Sequence, residues 1–267
     1  MHLDINPLAK EDLLLLPALQ PEGWGNIVPA HEMYLQSAGC FPLKFTNNNT
    51  ILGIGTAIVH NGSAWLAHII VHPGARGKGI GYYITKTLMD TAFSRHCDLL
   101  TLIATDLGAP VYTRLGFETD TEYVFFKEVK SGQHPHHENL KPYKPEFKNE
   151  LLAMDKYISG EDRSAYILQH LDNCIMYINN NFPEGFYLPG AGEGMISAST
   201  ATAGIALMEM RIATNDLCSF PVDNMDAMHY FEQNKYQPVR KAKRIVFGKK
   251  RAWHPELIYN RIGGNLG

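Results

Sequence analysis

The segment Arg76-Gly77-Lys78-Gly79-Ile80-Gly81 concentrates residue types that can hold a phosphorylated ligand. Alternate glycines permit positive φ and let an anion approach the backbone closely. If the segment opens a helix, the first N–H groups there have no intrahelical partner, and the helix dipole adds partial positive charge. A diphosphate is then held without dedicated cationic side chains, each charge-assisted hydrogen bond contributing roughly 1.5–3 kcal/mol. Arg76 and Lys78 add charge at the rim. The competing reading is a plain strand-to-helix turn with two exposed basic residues. Two other phosphate motifs do not match. A P-loop needs Ser or Thr after its Gly-Lys pair, and here Gly79 follows Gly77-Lys78. A dinucleotide fingerprint needs an acid at the end of the following strand, whereas Asp98 precedes the expected strand Leu99–Ala104.

The elements that must position this loop are legible from periodicity. Residues 3–5 read as a short strand, and Ala9–Leu19 carries apolar residues at helical spacing, closed by Pro21 and Gly23. A second short helix is expected over His31–Gln36. Pro42–Thr46, Ile51–His60 and Ala64–Val71 read as strands, joined at Asn47-Asn48-Asn49 and Asn61-Gly62, both turn signals. Ile80, Ile84, Leu88 and Phe93 mark the apolar face of a helix after the glycine loop. Leu99–Ala104 is a continuous apolar strand, Ala109–Leu115 a short helix ended by Gly116, and Phe117–Val129 a hairpin or meander.

Residues 130–149 change character, with Ser131, Gly132, Pro135, Pro142, Pro145 and several lysines. The expected organisation is a domain over 1–130, a linker over 131–149 and a second domain over 150–267. In the second half, helices are expected around Leu151–Ile158, from Glu161 to Leu171, and over Thr200–Ile212 and Ala227–Gln233. Strands are expected at Cys174–Ile178, Phe186–Leu188, Leu217–Val222 and Ala242–Gly248. The halves echo one another: Asn224, Ala227 and Phe231 each lie 119 positions after Thr105, Gly108 and Tyr112. The same offset carries the glycine loop onto Met195–Thr200, which has neither arginine nor glycine.

A formal charge of −3 gives no basic field, so nucleic acid is a poor default partner. No apolar run approaches the ~20 residues that span a bilayer, and the N-terminal residues lack a basic cluster. A cytoplasmic protein is expected, with Cys40, Cys97, Cys174 and Cys218 as ordinary thiols. His134-Pro135-His136-His137 is the densest histidine cluster and reads as solvated linker, so no metal is expected.

Val71-x-Pro73-x-x-Arg76-Gly77-x-Gly79-x-Gly81 resembles the acyl-CoA signature, Arg/Gln-x-x-Gly-x-Gly/Ala, of the GNAT superfamily of N-acetyltransferases. Ala104-Thr105, Gly108, Pro110-Val111-Tyr112 and Leu115-Gly116-Phe117 resemble that superfamily's second conserved block. The resemblance covers residues 3–128; Gly160-x-Asp162-Arg163 and Asn224-x-x-Ala227 resemble the degenerate C-terminal domain of two-domain members. It implies a mixed α/β fold of tandem domains. Each has a mixed, mostly antiparallel sheet with a V-shaped splay and flanking helices. The splayed strands would be Ala64–Val71 and Leu99–Ala104.

The resemblance also implies acetyl-CoA as cosubstrate. Ile69 and Val71 would face pantetheine, and Gly77, Lys78, Gly79, Ile80 and Gly81, with Arg76, would hold the diphosphate. Thr105 stands where relatives often carry Asn. The reaction would be direct acetyl transfer to an amine of a small molecule or peptide. Tyr112 matches the general acid that protonates the leaving thiolate. His68 is the leading base candidate, with Glu32, His31 and Glu122 behind it, and Trp24 would line the acceptor entrance. The second domain would shape the acceptor pocket. The other reading is a non-catalytic acyl-CoA sensor or scaffold. Neither oligomeric state nor acceptor identity is legible.

Overall fold

The computed structural model describes residues 3–132 and 137–266. They form two compact units that are interleaved along the chain. The first contains the residues up to Glu118 together with Ile245–Lys250 and Gly264–Leu266. The second contains Thr119–Arg244 and Arg251–Gly263.

In the first unit, β1 (Asp4–Pro7), β2 (Cys40–Asn47), β3 (Thr50–His60) and β4 (Ser63–Val71) are consecutive antiparallel neighbours. β5 (Leu99–Ala104) lies parallel to β4, and residues 245–248 run beside β5. The helices are α1 (Val28–Gln36), α2 (Ile80–Phe93) and α3 (Ala109–Arg114). Lys10–Leu19 winds as a 3-10 helix rather than an α-helix. Pro17 within it has no N–H to donate, and the Asp12 carboxylate accepts from the Ala9 amide at 2.7 Å and pairs with Lys44 at 2.7 Å.

α2 buries Ile80, Ile84, Leu88 and Met89 against the sheet. It comes close because β3 carries Gly53 and Gly55. A Cβ on Gly53 would stand 2.6 Å from Ile84 Cδ1, and one on Gly55 2.8 Å from Leu88 Cδ1. β4 is irregular where it matters. Thr56 pairs with Ala67 and Ile54 with Ile70, so His68 and Ile69 together oppose Gly55 in a bulge. His68 has φ +47°, a left-handed conformation uncommon for a side-chain-bearing strand residue.

The second unit holds β6 (Glu118–Lys127, from Thr119 onward), β7 (Leu140–Pro142), β8 (Ile175–Asn179), β9 (Phe182–Leu188), β10 (Met195–Ala198), β11 (Leu217–Pro221), β12 (Pro238–Gly248, up to Arg244) and β13 (Ile258–Asn260). Its helices are α4 (Lys148–Ser159), α5 (Ser164–Ile167), α6 (Ala201–Ile212) and α7 (Met225–Gln233). One sheet runs β13-β10-β9-β8-β7, and β12, β6 and β11 are neighbours in another. Its core includes Phe126, Ile196, Leu207, Phe220 and Phe231.

Several expectations change. The stretch expected to form a hairpin over Phe117–Val129 is one continuous strand, because the first reversal, Glu128 at φ +57°, comes only after its last residue. The expected linker contributes β7, which pairs with β8. β10 was not legible as a strand: four residues without strict alternation carry little period. Arg163 is buried and paired with Asp155 at 2.6 Å, while Asp162 Oδ1 accepts from the Ser164 hydroxyl at 2.7 Å. Of the histidine cluster, His134 and His136 lie outside the described residues, and His137 Nε2 meets Glu209 Oε2 at 3.0 Å.

Candidate functional site

β4 and β5 pair only at Ser63↔Leu99, Ala64↔Leu100 and Trp65↔Thr101. Beyond Trp65 and Thr101 both strands continue, to Val71 and Ala104, without further registered pairs between them. The divergence leaves backbone groups of the two strands facing a gap. A groove of about 630 Å³ occupies this side of the first unit. Ile69, Ile70 and Val71 line it from β4 and Thr105 from the turn after β5. Gly108, Pro110, Val111, Tyr112 and Arg114 line it from in and around α3.

The glycine loop lies on the same groove through Arg76, Gly77, Gly79, Ile80 and Gly81. Gly79 is the N-cap of α2, and the first intrahelical bond runs from the Tyr83 amide to the Gly79 carbonyl at 3.1 Å. The amides of Ile80, Gly81 and Tyr82 therefore precede the helical ladder, and no side chain caps that end. Gly77 and Gly79 have φ of +75° and +78°, and a Cβ on either would meet nothing within 4 Å. The turn is thus a concave run of backbone with open space before it, the form an anion site requires. Arg76 Nε donates to the Val71 carbonyl at 3.3 Å, which ties the loop to the end of β4.

The acetyltransferase (GNAT) family model matches residues 13–117. Residues 13–117 are a GNAT acetyltransferase domain. Among solved structures, a candidate acetyltransferase from Pyrococcus horikoshii is similar over 99% of this chain and 96% of its own, at 18% identity and a TM-score of 0.84. A tandem GNAT protein from the clavulanic acid biosynthesis pathway is similar over 94% of this chain and 100% of its own, at 12% identity and a TM-score of 0.59. A GNAT-type N-acetyltransferase from Anabaena variabilis aligns over 92% of this chain and 72% of its own, at 13% identity and a TM-score of 0.58. At these identities the likeness is one of fold, and it extends the tandem GNAT architecture over both halves. No curated protein matches the sequence closely enough to count as a relative.

Within the GNAT domain, the expected residues divide. Ile69, Val71, Arg76, Gly77, Gly79, Ile80, Gly81, Thr105 and Tyr112 all line the groove. Lys78 and His68 do not. Thr105 Oγ1 accepts from the Gly108 amide at 3.2 Å, so it holds the turn into α3. Tyr112 is buried, with its ring edge-on to Phe117 at 6.0 Å. Its ring packs against Gly108, where a Cβ would stand 2.7 Å from Tyr112 Cε2. Burial pushes the Tyr112 phenol up to about 12.

His68 belongs to a neighbouring aromatic cluster. Its Nδ1 is 2.8 Å from the Tyr34 hydroxyl, and its ring is 5.1 Å from His31 and 6.0 Å from the groove-lining Trp24. Burial, with a smaller contribution from His31, lowers the His68 imidazole to about 3. The His31 ring holds the Ile27 carbonyl through Nδ1 at 2.8 Å, and burial lowers it as well.

Sequence reasoning missed Pro21 and Glu22 beside Trp24 in the groove. A local signal exists. The Gln20 amide donates to the Gly25 carbonyl at 2.8 Å and accepts from the Ile27 amide at 3.2 Å, closing the loop that presents Glu22 and Trp24.

The second unit repeats the frame without the loop. Asn224 Oδ1 accepts from the Ala227 amide at 2.9 Å, as Thr105 does from Gly108. The 119-residue offset fails earlier in the chain, however. Met195–Ala198 is β10, not a loop, and only Ser199 and Thr200 separate it from α6. Thr200 caps its own helix by accepting from the Ala203 amide, and its hydroxyl donates to the Glu184 carboxylate at 2.9 Å. Phe231 stands where Tyr112 does, without a hydroxyl.

Proposed function

We propose that this chain transfers an acetyl group from acetyl-CoA directly to a primary amine of a small molecule or peptide. The observation that carries the reading is the turn at Gly77 and Gly79. It joins two left-handed glycines, open space at their Cβ positions and the uncapped amides of α2, all on the groove where β4 and β5 part. This arrangement suits a diphosphate, with Arg76 adding charge. Ile69 and Val71 are suited to offer backbone groups along the pantetheine arm. The thioester supplies the activated acetyl group.

The chain's own residues have three tasks. A Lys-like amine with pKa near ~10.4 is neutral in about one molecule in two to three thousand at pH 7, so attack needs a proton acceptor. His68 is the residue we offer for that task, by way of a water since it does not itself line the groove; burial keeps it neutral but lowers it to about 3, which makes it a weak acceptor. Backbone donors near Val71 would polarise the thioester carbonyl. Tyr112, protonated throughout the ordinary pH range, would return a proton to the departing thiolate. Glu22 and the exposed Trp24 supply a carboxylate and a π face to the same groove, which favours an acceptor carrying positive charge.

The test is calorimetry with acetyl-CoA on the wild type and Gly79→Glu, followed by thiol release with a panel of amines. The substitution puts a side chain at a left-handed position and a carboxylate where the diphosphate is held. It is expected to weaken binding at least about tenfold, the equivalent of one charge-assisted bond. Unchanged affinity would remove the loop from cofactor binding. Tight binding without thiol release on any amine would favour the acyl-CoA sensor instead.

A further inference from the structure

The groove carries a charge that a diphosphate ligand cannot use. Among the described residues that line it, Arg76 and Arg114 are cationic and Glu22 supplies the one carboxylate. The arginines suit an anionic ligand, and a carboxylate in the same groove works against it. Glu22 is exposed and forms no ion pair among the described residues, so its charge is not spent within the protein.

The loop that presents Glu22 is held from inside. Gly23 takes the left-handed conformation, at φ +77°, and the Trp24 amide donates to the Pro21 carbonyl at 3.3 Å. The Gln20 side chain donates to the carbonyls of Trp24 at 3.3 Å and Gly25 at 2.8 Å, and it accepts from the Ile27 amide. Trp24, 43% exposed, lines the groove beside Glu22. A carboxylate next to an open indole suits an alkylammonium, by charge and by cation–π attraction.

That ammonium is not the reacting nitrogen. A nitrogen attacks a thioester with its lone pair and must first lose its proton, whereas a carboxylate beside an ammonium keeps it protonated. The two duties also fall on different elements: Tyr112, which serves the leaving thiolate, is on α3, and Glu22 is on the loop before α1. We propose that the acceptor is a diamine, one nitrogen taking the acetyl group while the other stays an ammonium held by Glu22 and Trp24. The reacting nitrogen forms its bond to the acetyl carbon as the carbon–sulfur bond breaks. Its proton leaves to the base, the thiolate gains one from Tyr112, and the second ammonium is unchanged. This deepens the acetyl-transfer reading and rests on it for the kinetics alone.

The experiment uses the full chain and has two arms. In the first, 1,4-diaminobutane is titrated into the CoA-loaded protein while the Trp24 indole ¹H–¹⁵N signal, assigned by its loss in Trp24→Phe, is followed. The signal is expected to shift, with an affinity that falls about three- to tenfold in Glu22→Gln and also falls as salt is raised. No shift, or equal affinity in the two proteins, would overturn the proposal. In the second arm, thiol release is measured with 1,4-diaminobutane, butylamine and 4-aminobutanoate, whose far ends are positive, neutral and negative. Counted per reacting nitrogen, kcat/KM is expected to fall in that order, by about three- to tenfold per step and through KM. The three should converge in Glu22→Gln, and Glu22→Lys should move 4-aminobutanoate ahead of the diamine. An order that persists in Glu22→Gln would sink the idea. So would a fall in kcat alike for all three acceptors, which would make Glu22 the proton acceptor instead. If thiol is released and the acceptors are equivalent in wild type, the cation site falls and acetyl transfer stands. If the Trp24 signal responds through Glu22 but no amine releases thiol, acetyl transfer fails and takes the diamine acceptor with it.

Discussion

Tyr112 and His68 have different physical situations, and their tests differ accordingly. Tyr112 faces the groove with its phenol raised to about 12 by burial. It stays protonated wherever the protein is assayed, so its contribution to rate has no titration of its own below that range. Tyr112→Phe is therefore expected to lower kcat by a constant factor of about 10² across pH 6–10, with little change in acetyl-CoA affinity. A pH–rate profile on both proteins checks this, and equal rates would remove Tyr112 from the mechanism. His68 is lowered to about 3 from an ordinary value near 6.5, so the folded state binds its proton less readily than the unfolded chain does. The stability this neutral ring contributes is fully present above pH 6.5 and is lost as pH falls from there toward 3. Urea titrations between pH 7 and 4 should show a steeper decline for wild type than for His68→Asn. Parallel declines would mean that the ring titrates normally.

At the scale of elements, the position of the anion turn depends on how closely α2 lies on the sheet. Gly53 and Gly55 set that distance, since a Cβ at either would meet Ile84 or Leu88. Gly55→Val is expected to destabilise the fold by about 1–3 kcal/mol through overpacking and to weaken acetyl-CoA binding by tilting the start of α2. Denaturant unfolding and calorimetry read the two effects separately. Stability lost with full affinity would show that the turn is held independently of the helix. The strands illustrate how local pattern reaches its limit. The parallel neighbours β4 and β5 were legible as apolar runs. Their parting was expected only from the family resemblance, not from the strand pattern, and neither its point, after Trp65 and Thr101, nor the nearby bulge at His68 and Ile69 has a local signal, since both are features of pairing.

At the scale of the molecule, the two halves share a frame and differ at one turn. The eight residues 72–79 between β4 and α2 become Ser199-Thr200 between β10 and α6, and the Glu184 carboxylate accepts from the Thr200 hydroxyl at the start of that helix. Electrostatics and geometry both oppose a second diphosphate there. Calorimetry on the full chain is thus expected to give one acetyl-CoA per chain, with Gly79→Glu affecting all of it. A stoichiometry of two would place a second site where the helix end is now capped.

The sequence by itself determined the glycine turn, the helix that follows it, the Tyr112 block and the echo from Thr105 to Asn224. Each is a local matter of backbone freedom, periodicity or fixed spacing, and each survives in the fold. Only the tertiary structure decided the rest. It interleaved the units, so that residues 245–248 lie beside β5 while β6 belongs mostly to the other unit. It also brought Asn265 to Tyr34 and Tyr34 to His68. Partners 34 and 231 positions apart carry no shared period, and their meeting follows from sheet pairing and burial, which a linear pattern does not encode.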